Sequence, residues 1–335
     1  MAIYYIGSFP PVYGGVTIKN KNLYEALIKK LDIRKIDMNR IKRGDVREML
    51  RFGWAMLVGK QYIIGLAGQK NRRQFTELMY RFKRKAMGRS VLLVMSGIVE
   101  DVIQAGPAFM AKMSSYRRVY VEFPGMAHKL TAAGMTNAAV YPNGRPRPEV
   151  FQPVMGGTGP LQCVFFSQIE PEKGVDRILE ASVQLPDMMF HFYGRIIPEY
   201  RDAFLRETEA RSNVCYHGVF AGDSEAVYAE LSQYDVLLLP TRCKTEGLPG
   251  ILVEAKVVGI PAIISDINYN REIVDDGVDG FVLPEDSAGC LAAALHTLDS
   301  DREGLLRMKQ ASRASAEGYY IDVCAKGIID DLLRG

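Results

Sequence analysis

The sequence predicts an α/β protein built as two doubly wound domains, and three observations carry that expectation. Short apolar runs alternate with helical stretches of ten or more residues along the whole 335-residue chain, the pattern of parallel βαβ units. The alternation comes in two sets, each long enough for its own open sheet covered by helices on both faces. Between the sets lies Pro142 to Pro160, PNGRPRPEVFQPVMGGTGP, rich in Pro and Gly and without periodicity, which reads as a linker. The expected division is a first domain over 1–150 and a second over 151–318. The terminal helix at about 319–335 is apolar at Ile321, Cys324, Ile328 and Leu332 and could pack on either, the first included.

In order, the first set has strands near 2–7, 33–37, 61–66, 90–95, 118–122 and 138–141. Each is a run of β-branched, aromatic or other apolar residues of strand length. Helices are expected around 16–31, 71–86, 100–115 and 125–133. The second set has strands near 161–167, 188–193, 214–219, 235–240, 261–265 and 280–284, and the tail from Ser287 reads as helical with a break near Gly318, Tyr319 and Tyr320.

Charge divides the chain as the elements do. The formal net charge is +3, yet residues 1–150 hold 26 Lys and Arg against 10 Asp and Glu, and residues 151–335 carry a net −13. The basic half favours an anionic surface or a phosphorylated substrate. Its densest stretch, Arg72 to Arg89, read as a helix, gathers Phe75, Leu78, Met79 and Phe82 on one face with arginines and Lys85 elsewhere. That is the pattern of an interfacial helix, or of a solvated helix packed on a sheet. No nucleic-acid-binding motif accompanies the charge, so nucleic acid is not an expected partner. No apolar run reaches the roughly 18 residues of a membrane span. The N-terminus enters a strand directly and does not read as a signal peptide. Five scattered cysteines without a CxxC pair fit reduced thiols. A cytoplasmic chain is expected, held at the cytoplasmic face of a membrane if its basic half meets anionic lipid.

The chemistry-bearing segment is Leu237 to Ile264, LLLPTRCKTEGLPGILVEAKVVGIPAII. A strand ends at Pro240, a polar loop carries Glu246, a helix opens at Pro249 and carries Glu254, and Gly259 stops it before the next strand. Free N–H groups at a helix start attract phosphate, and carboxylates on either side can accept hydrogen bonds from sugar hydroxyls. Such a segment suits a nucleotide sugar. Glu254 stands in an otherwise apolar run and is expected to be buried with a partner. Gly14 and Gly15 end the first strand's loop, where backbone can approach a ligand closely; the spacing is not GxGxxG, which disfavours a dinucleotide. Lys173, beside Gly174 at a helix start, can meet a diphosphate, and Gly194 and Arg195 end the next strand. Asp299 and Asp301 have DxD spacing but fall between helices and read as a cap. Four dispersed histidines have neither zinc nor triad spacing. No metal site and no cofactor are expected.

These motifs resemble glycosyltransferase family 4, the group 1 retaining glycosyltransferases of GT-B architecture, whose two Rossmann-like domains face each other across a cleft. The similarity rests on EPEKGVDRILEA, on Glu246 and Glu254 as an E-x7-E pair in EGLPGILVEA, on GIPAIISDINYNREIVDDGVDGFVLPEDS, and on the GG loop and TNAAVYPNGRP. It thins between about 38 and 118. The resemblance implies a donor site mainly in the second domain and an acceptor site in the first. Glu254 would take the ribose, Glu246 the transferred sugar, Gly247, Leu248 and the helix start through Leu252 the sugar and phosphates. Lys173 would pair with the diphosphate, with Gly14 and Gly15 closing over it and Gly194, Arg195 and Gln168 nearby. Catalytic roles fall to Glu246 and Lys173. Ser96, Gly97 and Glu122, near strand ends of the first domain, are the acceptor-side candidates.

Two departures stand out. The family's arginine before the KG lysine is Gln168 here, with Arg195 or Arg242 as replacements, and where many members carry a histidine at a first-domain strand end this chain has Ser96 and Gly97 instead. The expected activity is metal-independent, retaining transfer of a hexosyl unit from a nucleotide sugar, UDP-sugar by family frequency, to a glycan or lipid-linked oligosaccharide. The alternative is a catalytically degenerate partner subunit that binds nucleotide sugar or glycan.

Overall fold

The computed structural model describes residues 2–334 except 12–13, 96–98, 152–153 and 155. These form two compact units. The first comprises Met1–Pro146, Thr245–Gly250 and Tyr319–Gly335, and the second Arg147–Lys244 and Ile251–Gly318. Relative to the expected division, the loop that carries Glu246 groups with the first unit, and so does the C-terminal segment.

The first unit is a six-stranded parallel sheet of β1 (Ile3–Gly7), β2 (Ile33–Asp37), β3 (Tyr62–Gly65), β4 (Val91–Leu93), β5 (Arg118–Val121) and β6 (Ala138–Val140), in the order β2-β1-β3-β4-β5-β6. Each central strand is buried on both faces, as parallel strands with helical crossovers must be. The chain reverses direction across the sheet between β1 and β3, which is the switch point where open α/β sheets bind ligands.

The helices explain themselves locally. Gly15–Leu27 starts at Gly14, where Thr17 Oγ1 accepts from the Gly14 N–H at 3.0 Å. Asp45 caps Val46–Val58 by accepting from Glu48 N–H at 3.0 Å. Where a single helix was expected over 71–86, the chain forms Gln69–Phe82 and Arg84–Met87, interrupted at Lys83. Over 100–115 it forms Glu100–Gln104 and Pro107–Met113, broken because Gly106 takes φ +89° ahead of a proline. The helices Ile321–Cys324 and Lys326–Leu333 supply Ile321, Ile328 and Leu332 to the core that holds Ile3, Tyr5 and Leu23. Tyr120 donates to Asp331 at 2.7 Å and Gln61 to the Leu332 carbonyl at 2.7 Å, so polar groups fix the docked helix as well.

The second unit repeats the architecture with β7 (Gln162–Phe166), β8 (Met189–Tyr193), β9 (Val214–Tyr216), β10 (Val236–Leu239), β11 (Ala262–Ser265) and β12 (Gly280–Leu283), ordered β12-β11-β10-β7-β8-β9. Its switch point lies between β10 and β7. Two six-stranded parallel sheets with helices make the α/β class expected from the sequence.

Candidate functional site

The second unit concentrates the expected donor residues around its switch point. The loop after β7 carries Gln168, which is exposed, and ends in a short turn, Pro171–Lys173, with Lys173 half-buried. Gly174 follows at φ +78°, and a Cβ there would lie 2.0 Å from the Pro240 carbonyl oxygen at the end of β10. Only glycine lets this turn press against the neighbouring strand, so the glycine after Lys173 is a steric requirement. At the end of β8, Gly194 takes φ +144°, and a Cβ would lie 1.7 Å from the Ser167 carbonyl oxygen. The strands stay joined beyond it, since Ile169 N–H donates to the Arg195 carbonyl at 2.9 Å. Gln168, Lys173, Gly194 and Arg195 thus sit on adjacent strand ends.

The helix Gly250–Val258 follows β10, one residue later than expected, and Gly259 ends it at φ +80°. From Ile251 to Val258 every residue is buried apart from Glu254. The expectation that Glu254 would be buried is therefore corrected: it is the one partly exposed position in that otherwise buried stretch of the helix. Leu252 is a core residue and offers only its backbone. The helix is tied down behind by Lys256, whose ammonium meets Asp279 at 2.5 Å and Ser315 Oγ at 2.8 Å. Burial pulls the Lys256 pKa down, and Asp279 opposes that shift.

Of the two arginines considered as replacements for the charge missing at Gln168, Arg242 is engaged with Asp176 at 2.7 Å and Asp286 at 3.6 Å. Arg195 is exposed and in no ion pair among the described residues. Asp301 caps Arg302–Ser315 by accepting from Gly304 N–H at 2.7 Å, which accounts for the DxD spacing. Among the described residues no group of three or more His, Cys, Asp or Glu could hold a metal ion.

In the first unit the Thr245–Gly250 loop is held by side chains that sequence reasoning missed or placed elsewhere. Glu122, expected on the acceptor side, is buried, pairs with Lys19 at 2.7 Å and accepts from Leu248 N–H at 3.1 Å. The Leu248 amide, expected to face sugar or phosphate, is thus engaged by Glu122. A buried carboxylate needs such partners. Asn143 Nδ2 donates to the Leu248 carbonyl at 2.9 Å. A Cβ on Gly250 would lie 1.6 Å from an Arg145 guanidinium nitrogen, so this glycine makes room for the arginine. The only sequence signal for this anchorage was the spacing of Asn143 and Arg145 in PNGRP. Glu246 and Gly247 are half-buried on the same loop.

Gly14 and Gly15 are exposed, with nothing within 4 Å of either added Cβ, while the Gly14 N–H and carbonyl are both engaged by Thr17. Ser96 and Gly97 lie outside the described residues. Beside the first unit's switch point is a cavity of about 290 Å³, lined by Ser8, Met38, Lys42, Leu66, Phe75 and Leu78 among others. It stands at the ends of β1, β2 and β3.

Comparison with known proteins names the architecture. Residues 149–315 match the family model of glycosyl transferases group 1. An amylovoran biosynthesis glycosyltransferase of Erwinia amylovora is 29% identical over 169 residues, which cover 48% of this chain and 41% of that protein. The chain thus spans less than half the length of that relative. The HepE protein of Anabaena, solved in complex with UDP, superposes with a TM-score of 0.73 at 14% identity over all of both chains. Sucrose-phosphate synthase of Thermosynechococcus elongatus gives 0.75 at 14% identity, over 100% of this chain and 99% of that one. The fold is that of the GT-B glycosyltransferases.

Proposed function

We propose that this protein is a retaining glycosyltransferase that moves a sugar from a nucleotide diphosphate donor to a glycan or lipid-linked acceptor in cell-surface polysaccharide synthesis. The observation that carries the reading is Glu254, alone in leaving the core on a helix otherwise buried from Ile251 to Val258 and starting at the second unit's switch point. From that position its carboxylate can accept hydrogen bonds from ribose hydroxyls. UDP is the favoured nucleotide, in keeping with the UDP bound by the similarly folded HepE protein.

In this reading Glu254 accepts from the ribose hydroxyls and Glu246 from the transferred sugar. Lys173, the N–H groups of the helix start and Arg195 balance the departing diphosphate, Arg195 taking the role left vacant at Gln168. The acceptor oxygen attacks the anomeric carbon from the leaving group's side as the bond to the diphosphate breaks, and its proton passes to a phosphate oxygen. The protein's part is positioning and charge stabilisation, with no metal ion.

A thermal-shift panel of nucleoside diphosphates and nucleotide sugars tests the donor assignment. A ligand at a hundredfold excess over Kd stabilises the native state by about 2.7 kcal/mol. A rise in melting temperature with uridine compounds and none with adenosine or guanosine compounds is expected. Silence across the whole panel would remove the donor site. The partner-subunit reading predicts binding without turnover, so product formation from a bound donor separates the two.

A further inference from the structure

Of sixteen exposed large hydrophobic residues among those described, eight fall between Val46 and Phe82. The others are scattered or in pairs. Most of the eight lie on the helix Val46–Val58, whose inner face is held by Glu48 and Ala55. Its Phe52 ring lies 6.4 Å from Phe75 of the next helix. Outward, Val46, Leu50, Trp54 and Leu57 recur at helical spacing, 58–71% exposed. The helix is therefore apolar on two sides, and only one is covered within the first unit.

The surroundings of the uncovered face are basic. Residues 40–90 hold 14 Lys and Arg against 3 Asp and Glu. At the helix's C-terminal end a surface depression of about 560 Å³ is lined by Lys60, Arg81, Lys83, Arg84, Lys85 and Arg89, with Phe82 in the rim. None of these six is in an ion pair among the described residues, and Lys83 donates to the Leu57 carbonyl at 2.8 Å, which joins depression to helix. Leu78, on the helix that carries Phe82, also lines the cavity at the ends of β1, β2 and β3.

We propose that the Val46–Val58 helix is a membrane-docking element. Its Leu50–Trp54–Leu57 face enters the interface of a leaflet whose anionic headgroups occupy the basic depression around Lys85. An unpaired basic cluster beside an apolar helical face containing tryptophan is matched by anionic lipid in both halves of its chemistry. A second copy joined through the same face would instead set basic depression against basic depression. The assignment keeps the cations of the Arg72–Arg89 stretch but, because Phe75 and Met79 are spent on the core, moves the main apolar surface to the helix before it. It gives a surface to the membrane contact expected from the basic half of the sequence and is independent of the donor chemistry.

Trp54 is the only tryptophan of the chain, so its fluorescence reports the surface directly. With the full chain, vesicles of phosphatidylcholine mixed with phosphatidylserine are expected to shift Trp54 emission to the blue, and brominated acyl chains to quench it. Phosphatidylcholine alone is expected to do neither. Leu50→Glu should weaken vesicle binding at least about tenfold, since it sets a charge against acyl chain. Arg81→Ala and Lys85→Ala should each weaken it about fivefold.

If native protein binds and Leu50→Glu binds equally well, the docking surface is wrong. If Trp54 emission instead shifts with protein concentration in lipid-free buffer, the face belongs to a second copy and the proposal falls. If native protein binds no vesicle, both this surface and the expected membrane contact fail. The thermal shift with uridine compounds, read in the same preparation, still judges the donor site.

Discussion

Single side chains decide what the nucleotide-sugar segment can do. Glu254→Ala is expected to lose nucleotide affinity, and Glu246→Ala to lose turnover while keeping the nucleotide's thermal shift. Unchanged activity in both variants would overturn their assignment. Behind them, Lys19 and Glu122 form a buried pair at 2.7 Å whose second carboxylate oxygen holds the Leu248 amide. Removing one partner strands the other's charge, so Glu122→Ala should cost about 3–5 kcal/mol. Lys19→Met/Glu122→Leu should recover much of that in thermal or urea unfolding, while the loop loses its anchor. A double variant as unstable as the single one would mean the pair's cost lies elsewhere.

A histidine gives a pH signature at the same scale. Burial, then the neighbouring His217, holds the His191 pKa below the ordinary value, with Glu230 opposing. The unfolded chain takes this proton near pH 6.5 and the folded one only at lower pH, so between the two the unfolded state binds more protons. The contribution to stability is present above about pH 6.5 and is lost as pH falls through the folded-state value. His191→Gln should flatten the fall of melting temperature on acidification, and an unaltered acid limb would exclude His191 as its source.

At the scale of elements, loops and helix ends are fixed by contacts that cross the chain. Gly174→Ala would require both a strained φ and a 2.0 Å approach to a backbone oxygen of β10. Backbone cannot swing aside as a flexible side chain can. That variant is expected to be destabilised and to lose nucleotide response together, measured by melting temperature and its shift with UDP. The C-terminal helix is equally committed. Ile328 is fully buried in the first unit's core, so Ile328→Ala should cost about 2–5 kcal/mol. A negligible loss in urea denaturation would mean the helix is not part of that core.

Across the molecule, the charge division separates two kinds of chemistry by unit. The basic first half carries the apolar helix and its unpaired cations, and the acidic second half carries the helix with Glu254. Vesicle binding through the first should fall steeply as salt rises from 0.05 to about 0.5 M, because exposed charges are screened beyond a Debye length of about 10 Å at 0.1 M. Nucleotide stabilisation, resting on ribose hydrogen bonds and two cations at the diphosphate rather than on a whole basic cluster, should change less. Equal salt dependence of both would argue against this separation.

The sequence by itself determined both sheets, nearly every strand, the glycine stops and the carboxylate segment. These are local: periodicity, Pro and Gly positions and apolar runs record how a stretch of chain folds whatever surrounds it. It could not show that the outward face of Val46–Val58 stays uncovered, because a helical pattern of apolar residues does not say which of them meet a neighbour. Nor could it show that Glu254 leaves the core, that Glu122 spans from Lys19 to Leu248, or that Arg145 fills the space beside Gly250. The Glu122 contacts join residues more than a hundred positions apart at 2.7 and 3.1 Å, and only the tertiary structure makes such neighbours. A sequence names the polar groups of a segment; burial and partnership decide which of them are left to meet a ligand.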